Sequence, residues 1–352
     1  MGPIRGRTIF EALDRHSGSL KRLSLGALEP RALNALNQLG NCGVLESLYL
    51  NASRVDKDFD FARSQTEVYH QCLEWLSNCT QLTNLILRKF PSATRLLKDL
   101  LTAPKLRLES LILDGAEATA PWYNELHHQT KLKSLRVEIS DDEFLQLGPP
   151  SGRCHGLAAG ISRCPELTEL YTEEYLSVAD ISKISEGALK LECICFSGTL
   201  IHDAHLMPLA NLPRLKEVYV MSDSSFTPSG ILRFFEKMEG SAGHDHRKFR
   251  FGAASQQGTL FTLEEDRHLS REAKRAFDGS VSIQYIDSDG DDYRFRSEGS
   301  ESVVKQYQYG NSLKESPGGF VIGGYIRSGS DVVHITLISV VMKTYGRGYI
   351  PC

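Results

Sequence analysis

The segments LTNLIL (residues 82–87) and LESLIL (residues 108–113) share one pattern, apolar-x-x-apolar-x-apolar. The same pattern recurs as LKRLSL from Leu20, LESLYL from Leu45, LKSLRV from Leu132, LTELYT from Leu167, LECICF from Leu191 and LKEVYV from Leu215. Successive starts are separated by 25, 37, 26, 24, 35, 24 and 24 residues, so five of the seven spacings agree within two residues. The two long spacings read as one unit plus an insertion of about ten residues. Leucine is common and one such match decides nothing, whereas eight at a near-constant period define a structural repeat.

The second half of each match alternates apolar and polar positions, the period of a short strand with one buried and one open side. Between these strands lie apolar residues at helical spacing: Leu33, Leu36 and Leu39; Leu96, Leu97, Leu100 and Leu101; Val178, Ile181 and Ile184; Leu206, Leu209 and Leu212. One strand and one helix cannot bury their apolar sides alone, but stacked copies can. The predicted fold is therefore an α/β solenoid, with a curved parallel sheet inside and helices outside. Clear repeats cover residues 8–240, and Thr8 to Arg15 reads as the helix of a first half-repeat. A start in mid-repeat exposes an apolar end, which predicts either a shortened form of a longer protein or a partner covering that end. Degenerate repeats continue through 241–288, with a helix at SGILRFFEKM (229–238), a strand at KFRF from Lys248, a helix at EEDRHLSREAKRAF (264–277) and a strand at VSIQYI from Val281. Residues 289–352 are a glycine-rich tail or cap, either β-rich or partly disordered, with strand readings at Tyr293–Arg296 and Val332–Met342.

The phrases LGNCGVLESL, LSNCTQLTNL and ISRCPELTEL place Cys42, Cys79 and Cys164 at a helix end, three residues before the first leucine of a repeat. The chain resembles the ribonuclease-inhibitor-like leucine-rich repeat superfamily, and within it the irregular, cysteine-bearing repeats of F-box/LRR proteins. The resemblance covers roughly residues 8 to 240. It implies a leucine-rich repeat fold and non-enzymatic protein recognition, as the substrate-recognition part of an F-box-like ubiquitin-ligase receptor. The 19 residues before Leu20 are too few for an F-box and hold no Leu-Pro start. A Skp-type adaptor is thus an implied partner only if an F-box is supplied elsewhere. Two alternatives stand beside this reading: an independent leucine-rich repeat scaffold unrelated to ubiquitin, and a regulatory or catalytic role residing in the C-terminal tail.

Composition narrows the classes further. The chain has 352 residues, 41% hydrophobic and 24% charged, as an ordinary soluble globular protein does. Lysine and arginine total 40 against 44 acidic residues, for a net charge of -4, without long blocks of one sign. That balance argues against nucleic acid and membrane surfaces as partners. The longest apolar stretch, Val332–Met342, is interrupted by His334, Thr336 and Ser339 and is too short to span a bilayer. Eight cysteines without a secretory segment predict reduced thiols and a cytoplasmic or nuclear location. Leucine is concentrated in residues 1–240, with 41 against 5 in 241–352, while 14 of the 29 glycines fall in the last 112 residues.

If the strands stack in register, their outward positions form columns on the concave face. The middle column reads Ser24, Tyr49, Ile86, Ile112, Arg136, Tyr171, Cys195 and Tyr219. One flanking column carries Asn51, Arg88, Asp114, Glu138, Glu173 and Met221; the other runs Arg22, Ser47, Asn84, Ser110, Ser134, Glu169, Cys193 and Glu217. Tyrosine, arginine and exposed isoleucine carry binding energy in protein interfaces, which singles out Tyr49, Arg88, Ile112, Arg136, Tyr171, Glu173 and Tyr219 as partner contacts. The competing explanation is that an open sheet face uses such residues for their strand preference alone. The insertions after the second and fifth strands add rim loops, one with Asp56 to Phe61 and the other with Asp141, Asp142, Phe144 and Gly148-Pro149-Pro150. Phe59 and Phe61 are either docking aromatics on the first of these loops or side chains folded onto the sheet edge.

No cofactor, metal or catalytic site is expected. Cys193-x-Cys195 and His202-x-x-His205 resemble a zinc set by composition, but the thiols belong on the concave face and the histidines on the convex side. Asp287, Asp289, Asp291 and Glu298 match calcium-loop positions, yet Asp292 replaces the required glycine and no helix pair flanks them. His127-His128 and His244-Asp245-His246 read as loop histidines. Phosphate-binding glycine loops, HExxH and GxSxG are absent from the sequence. The regular asparagine of GTPase-activating repeats is approached only at Asn51.

Overall fold

The computed structural model describes residues 13, 17–39, 42–52, 59–116, 121–139, 155–197, 201–241, 248–255, 261–286 and 293–295. Within them, alternating leucines form strands β1 (Arg22–Leu25), β2 (Ser47–Asn51), β3 (Asn84–Arg88), β4 (Ser110–Ala116), β5 (Ser134–Ile139) and β6 (Glu169–Tyr175). They are followed by β7 (Cys193–Ser197), β8 (Ile201–His202), β9 (Glu217–Ser225), β10 (Arg250–Ser255), β11 (Ser280–Ile286) and β12 (Tyr293–Phe295). All twelve belong to one sheet, in the order β1 to β7 and then β9 to β12, with β8 beside β9. Every pairing is parallel except β11 with β12. Spatial order follows chain order and helical segments link most successive parallel strands, so the molecule is an α/β leucine-rich repeat solenoid. Helices about 10 Å across, stacked behind strands about 4.8 Å apart, force the sheet to the inside of the curve.

The leucines of the pattern meet their counterparts in neighbouring coils. Leu23, Leu48, Leu85, Leu111, Leu135, Leu170, Ile194, Val218 and Phe251 lie side by side and are all buried. At the helix ends, the cysteines serve as hydrogen-bonding hydrophobes: the Cys42 thiol donates to the Leu39 carbonyl at 3.0 Å and the Cys79 thiol to that of Trp75 at 3.3 Å. Cys164 Sγ lies 3.5 Å from both the Gly160 and Leu126 carbonyls. Burial pushes the thiols of Cys72, Cys79 and Cys164 up to about 12. These cysteines are therefore structural and inert at neutral pH.

Gln129 holds the corresponding position before Leu132, and it is fully buried. Its Oε1 accepts the Leu108 N–H at 2.9 Å and its Nε2 donates to the Leu101 carbonyl at 2.9 Å. The turn before Leu108 is irregular, and the amide fills backbone valences that the turn leaves open. On the surface, Lys21–Glu46 at 3.5 Å, Glu109–Lys133 at 2.8 Å and Glu192–Lys216 at 2.5 Å pair adjacent coils just before their strands. Each exposed pair contributes little stability, roughly 0–1 kcal/mol, but the alternating signs favour the observed neighbours.

Toward the C-terminus the core changes from leucine to phenylalanine. Phe234, Phe235, Phe249, Phe251 and Phe277 form a chain of ring contacts with centroids 5.5 to 6.4 Å apart. Helix Pro228–Glu239 begins at Thr227, whose hydroxyl accepts the Gly230 N–H at 3.0 Å. Helix Leu263–Phe277 begins with a reciprocal Thr262–Glu265 capping box. β10, helix Leu263–Phe277 and β11 thus continue the coil where the leucine pattern fades. Among the described residues, no helix is long and apolar enough to cross a membrane. The first-half-repeat residues except Leu13, the second rim insertion, the calcium-like aspartates and Glu298, His244 to His246 and Val332–Met342 lie outside the described residues.

Candidate functional site

The open face of the sheet has the columns that the repeat period predicts. Ser24, Tyr49, Ile86, Ile112, Arg136, Tyr171, Cys195, Tyr219 and Gly252 are successive register partners. The buried strand positions point toward the helices, while Tyr49, Ile86, Ile112, Arg136, Tyr171 and Tyr219 are half-buried on the other side. Gly252 ends the bulky part of the row: a Cβ there would lie 2.6 Å from the Tyr219 ring. The missing side chain lets Tyr219 lie against β10.

Polar contacts tie these side chains into two adjoining groups. In the first, Asn51 Nδ2 donates to the Tyr49 hydroxyl at 3.1 Å and Arg88 Nε donates to Asp114 Oδ2 at 2.7 Å. In the second, Arg136 pairs with Glu138 and stacks over Tyr171, its guanidinium carbon 4.1 Å from the ring centroid. A cation held over a tyrosine face gains from the ring quadrupole. Glu173 Oε2 accepts the Ile139 N–H at 2.9 Å. Together the groups hold two guanidinium groups, Arg88 and Arg136, and three carboxylates, Asp114, Glu138 and Glu173.

Burial raises the Glu173 carboxyl above its ordinary value, Glu138 and Asp114 add to the rise, and the Ile139 N–H and Arg136 oppose it. Burial also raises the Tyr171 phenol, and it pushes that of Tyr219 up to about 12 with Glu217 adding to the shift. Both tyrosines therefore remain neutral hydrogen-bonding aromatics at physiological pH. Farther along the face, Arg250 pairs with Glu217 at 3.1 Å.

The rim reading of Phe61 is corrected by its surroundings. Phe61 is fully buried, edge-on to Tyr69 and Phe90 with centroid separations of 6.0 Å, and Phe59 is half-buried and packed against the core. Asp60 between them accepts the Arg63 N–H at 3.0 Å and the Ser92 hydroxyl at 2.8 Å, capping helix Phe61–Ser64. The acidic-aromatic run is thus a helix start stapled to the core, which removes Phe61 from the contact surface. Asp56 to Asp58 lie outside the described residues.

Cys193 and Cys195 lie on β7, and burial raises the Cys195 thiol. His202 and His205 meet edge to face with ring centroids 4.5 Å apart at the helix entry, where the His202 ring accepts the Ala204 N–H at 3.3 Å. The reading of His127 and His128 as loop residues requires correction: they end a 3-10 helix, Pro121–His128, beside Glu125. Glu125 stands three residues before His128, so the sequence signal is a glutamate–histidine spacing and not a histidine–histidine one.

No protein-family model matches the chain, and no curated protein matches it. Among solved structures, it is similar to an internalin of Listeria monocytogenes at 12% identity, over 80% of this chain and 88% of that one, with a TM-score of 0.33. The fold assignment rests on the strand order and register described above.

Proposed function

We propose that this chain is a protein-recognition module whose partner lies along the open face from β2 to β9. The observation that carries this reading is the row of half-buried Tyr49, Ile86, Ile112, Arg136, Tyr171 and Tyr219 on a sheet whose opposite side is covered by the core. Large aromatic, aliphatic and guanidinium groups held on a rigid scaffold bury much area at little conformational cost. Arg88 and Glu173 border the row and set its charge pattern. Arg136 is already oriented by Glu138 and Tyr171, so it can engage a partner with little loss of freedom.

A photo-cross-linking amino acid at Ile112 tests the reading against one at Lys98, on the outer helix Ala93–Leu101. The expected result is a partner band from position 112 only. Cross-linking to that partner exclusively from position 98 would overturn the assignment of the open face.

The narrower role, as substrate-recognition part of an F-box-like ubiquitin-ligase receptor, is supported by the resemblance of the repeats alone. It predicts that affinity capture recovers a Skp-type adaptor together with an F-box-bearing chain. Stable partners without that pair would support an independent scaffold.

A further inference from the structure

The 3-10 segment Pro121–His128 packs between helix Ala93–Leu101 and helix His155–Ile161 on the outer side of the solenoid. Trp122, Tyr123 and Leu126 anchor it in the core, and buried Gln129 follows directly. Glu125 and His127 are half-buried and His128 is exposed, and one ligand atom from each lies within 4.8 Å of the other two. The two imidazoles are in contact, with centroids 3.8 Å apart and planes tilted by 38°. His128 Nε2 is 3.5 Å from Glu125 Oε2.

His127 Nδ1 faces the Asn124 carbonyl at 2.5 Å. A carbonyl can only accept, so this contact requires a proton on Nδ1 and places the neutral ring's lone pair on Nε2. A backbone carbonyl holding the far nitrogen is the usual support of a metal-binding histidine, because it fixes both tautomer and ring direction.

We propose that Glu125, His127 and His128 form a binding site for a divalent transition-metal ion of the zinc class. Two imidazoles and one carboxylate suit such an ion, whereas calcium and magnesium require sites dominated by oxygen. Bonds of about 2.0–2.2 Å in a tetrahedral site place ligand atoms roughly 3.3–3.6 Å apart. Rotation of the partly exposed Glu125 and His128 side chains closes the remaining distance while the anchored backbone stays in place. Water completes the coordination. The ion therefore acts as a staple across the last turn of the 3-10 segment.

Zinc titration of the untagged full chain, stripped with a chelator and then dialysed, tests the site by calorimetry, with magnesium as the comparison ion. The expected result is one zinc equivalent and no magnesium uptake. Affinity should fall roughly tenfold or more in the double variant H127Q/H128Q, because loss of first ligands costs at least as much as loss of their supporting groups. Cobalt substitution should give absorption without thiolate charge-transfer bands, separating this site from the cysteines. If the double variant does not fold, H128A at the exposed position gives the same comparison. Absence of zinc binding by the wild-type chain, or unchanged zinc affinity in the folded variant, would overturn the proposal.

Discussion

Replacing Gln129 by methionine tests whether one buried amide holds two coils together. The side chain is fully buried, and its two hydrogen bonds, to the Leu108 N–H and the Leu101 carbonyl, are both 2.9 Å long. Methionine preserves length and much of the volume, so packing changes little while both backbone groups lose their partner. An unsatisfied buried polar group costs about 1–3 kcal/mol, which places the expected destabilisation of Q129M at roughly 2–5 kcal/mol after local relaxation. Urea unfolding followed by circular dichroism measures the change, and amide hydrogen exchange at Leu108 should accelerate in parallel. Thr130→Ala, at the adjacent exposed position, should remain within about 0.5 kcal/mol of wild type. Q129E adds a check of polarity. Its carboxylate can accept from Leu108 but opposes the Leu101 carbonyl, so the variant should recover relative stability as pH falls and the carboxyl gains a proton it can donate. A Q129M variant within about 0.5 kcal/mol of wild type, with normal protection at Leu108, would refute the bridging argument.

The remaining predictions address the face, the coil contacts and the ionisable groups. Replacing Tyr49, Tyr171 and Tyr219 together by alanine should weaken partner binding by about tenfold or more, since interface anchors contribute upward of about 1 kcal/mol each. Far-UV circular dichroism should be unchanged, and undiminished affinity measured by calorimetry would reject the face. Gly187→Ala places a Cβ 2.1 Å from the Ser162 carbonyl oxygen, whereas a Cβ at Gly26 meets nothing within 4 Å. Denaturant titration should show a loss of about 1–3 kcal/mol for G187A and little change for G26A. Glu173 has a raised carboxyl pKa in the folded state, so the folded chain holds that proton more tightly and stability declines as pH rises from the ordinary carboxylate value through the raised one. E173Q should flatten this part of the pH–stability profile and increase stability at neutral pH; an unchanged profile would refute the linkage. Mass-resolved thiol labelling should find Cys72, Cys79 and Cys164 protected in the native chain and reactive in denaturant, and native labelling as fast as in denaturant would contradict their burial.

The strand columns were legible because a two-residue alternation anchored by leucine leaves one register that buries every apolar row. The helical links were legible at Val178, Ile181 and Ile184, where the spacing is regular. Phe61 was less legible: an aromatic among aspartates has the local composition of a loop, and only its edge contacts with Tyr69 and Phe90 reveal a core residue. Gln129 carried a weak signal, since it occupies the cysteine position before a repeat leucine, but its two acceptor and donor contacts arise from an irregular turn in the neighbouring coil. On the open face, sequence identified Tyr49, Arg136 and Tyr171 but not the pairing of Arg136 with Glu138 or its stacking on Tyr171. The first depends on side-chain direction along β5 and the second on contact with a strand 35 residues later in sequence, neither of which the repeat pattern specifies. The falling leucine count marked a change of core chemistry, from leucine to a phenylalanine cluster, while the coils continued.

The two tryptophans give this solenoid an uneven optical memory of its own fold. Trp75 and Trp122 are the chain's only indoles, and both are buried in coils that precede β6. The phenylalanine-rich coils after β9 contain none. Tryptophan emission therefore reports the solvent exposure of one half, while far-UV dichroism records secondary structure throughout. In a chain of nearest-neighbour contacts, coincidence of the two signals would mean collective loss of the coils, and separation would identify which half opens first. The native sequence thus carries a direction-sensitive probe of unravelling without an added label.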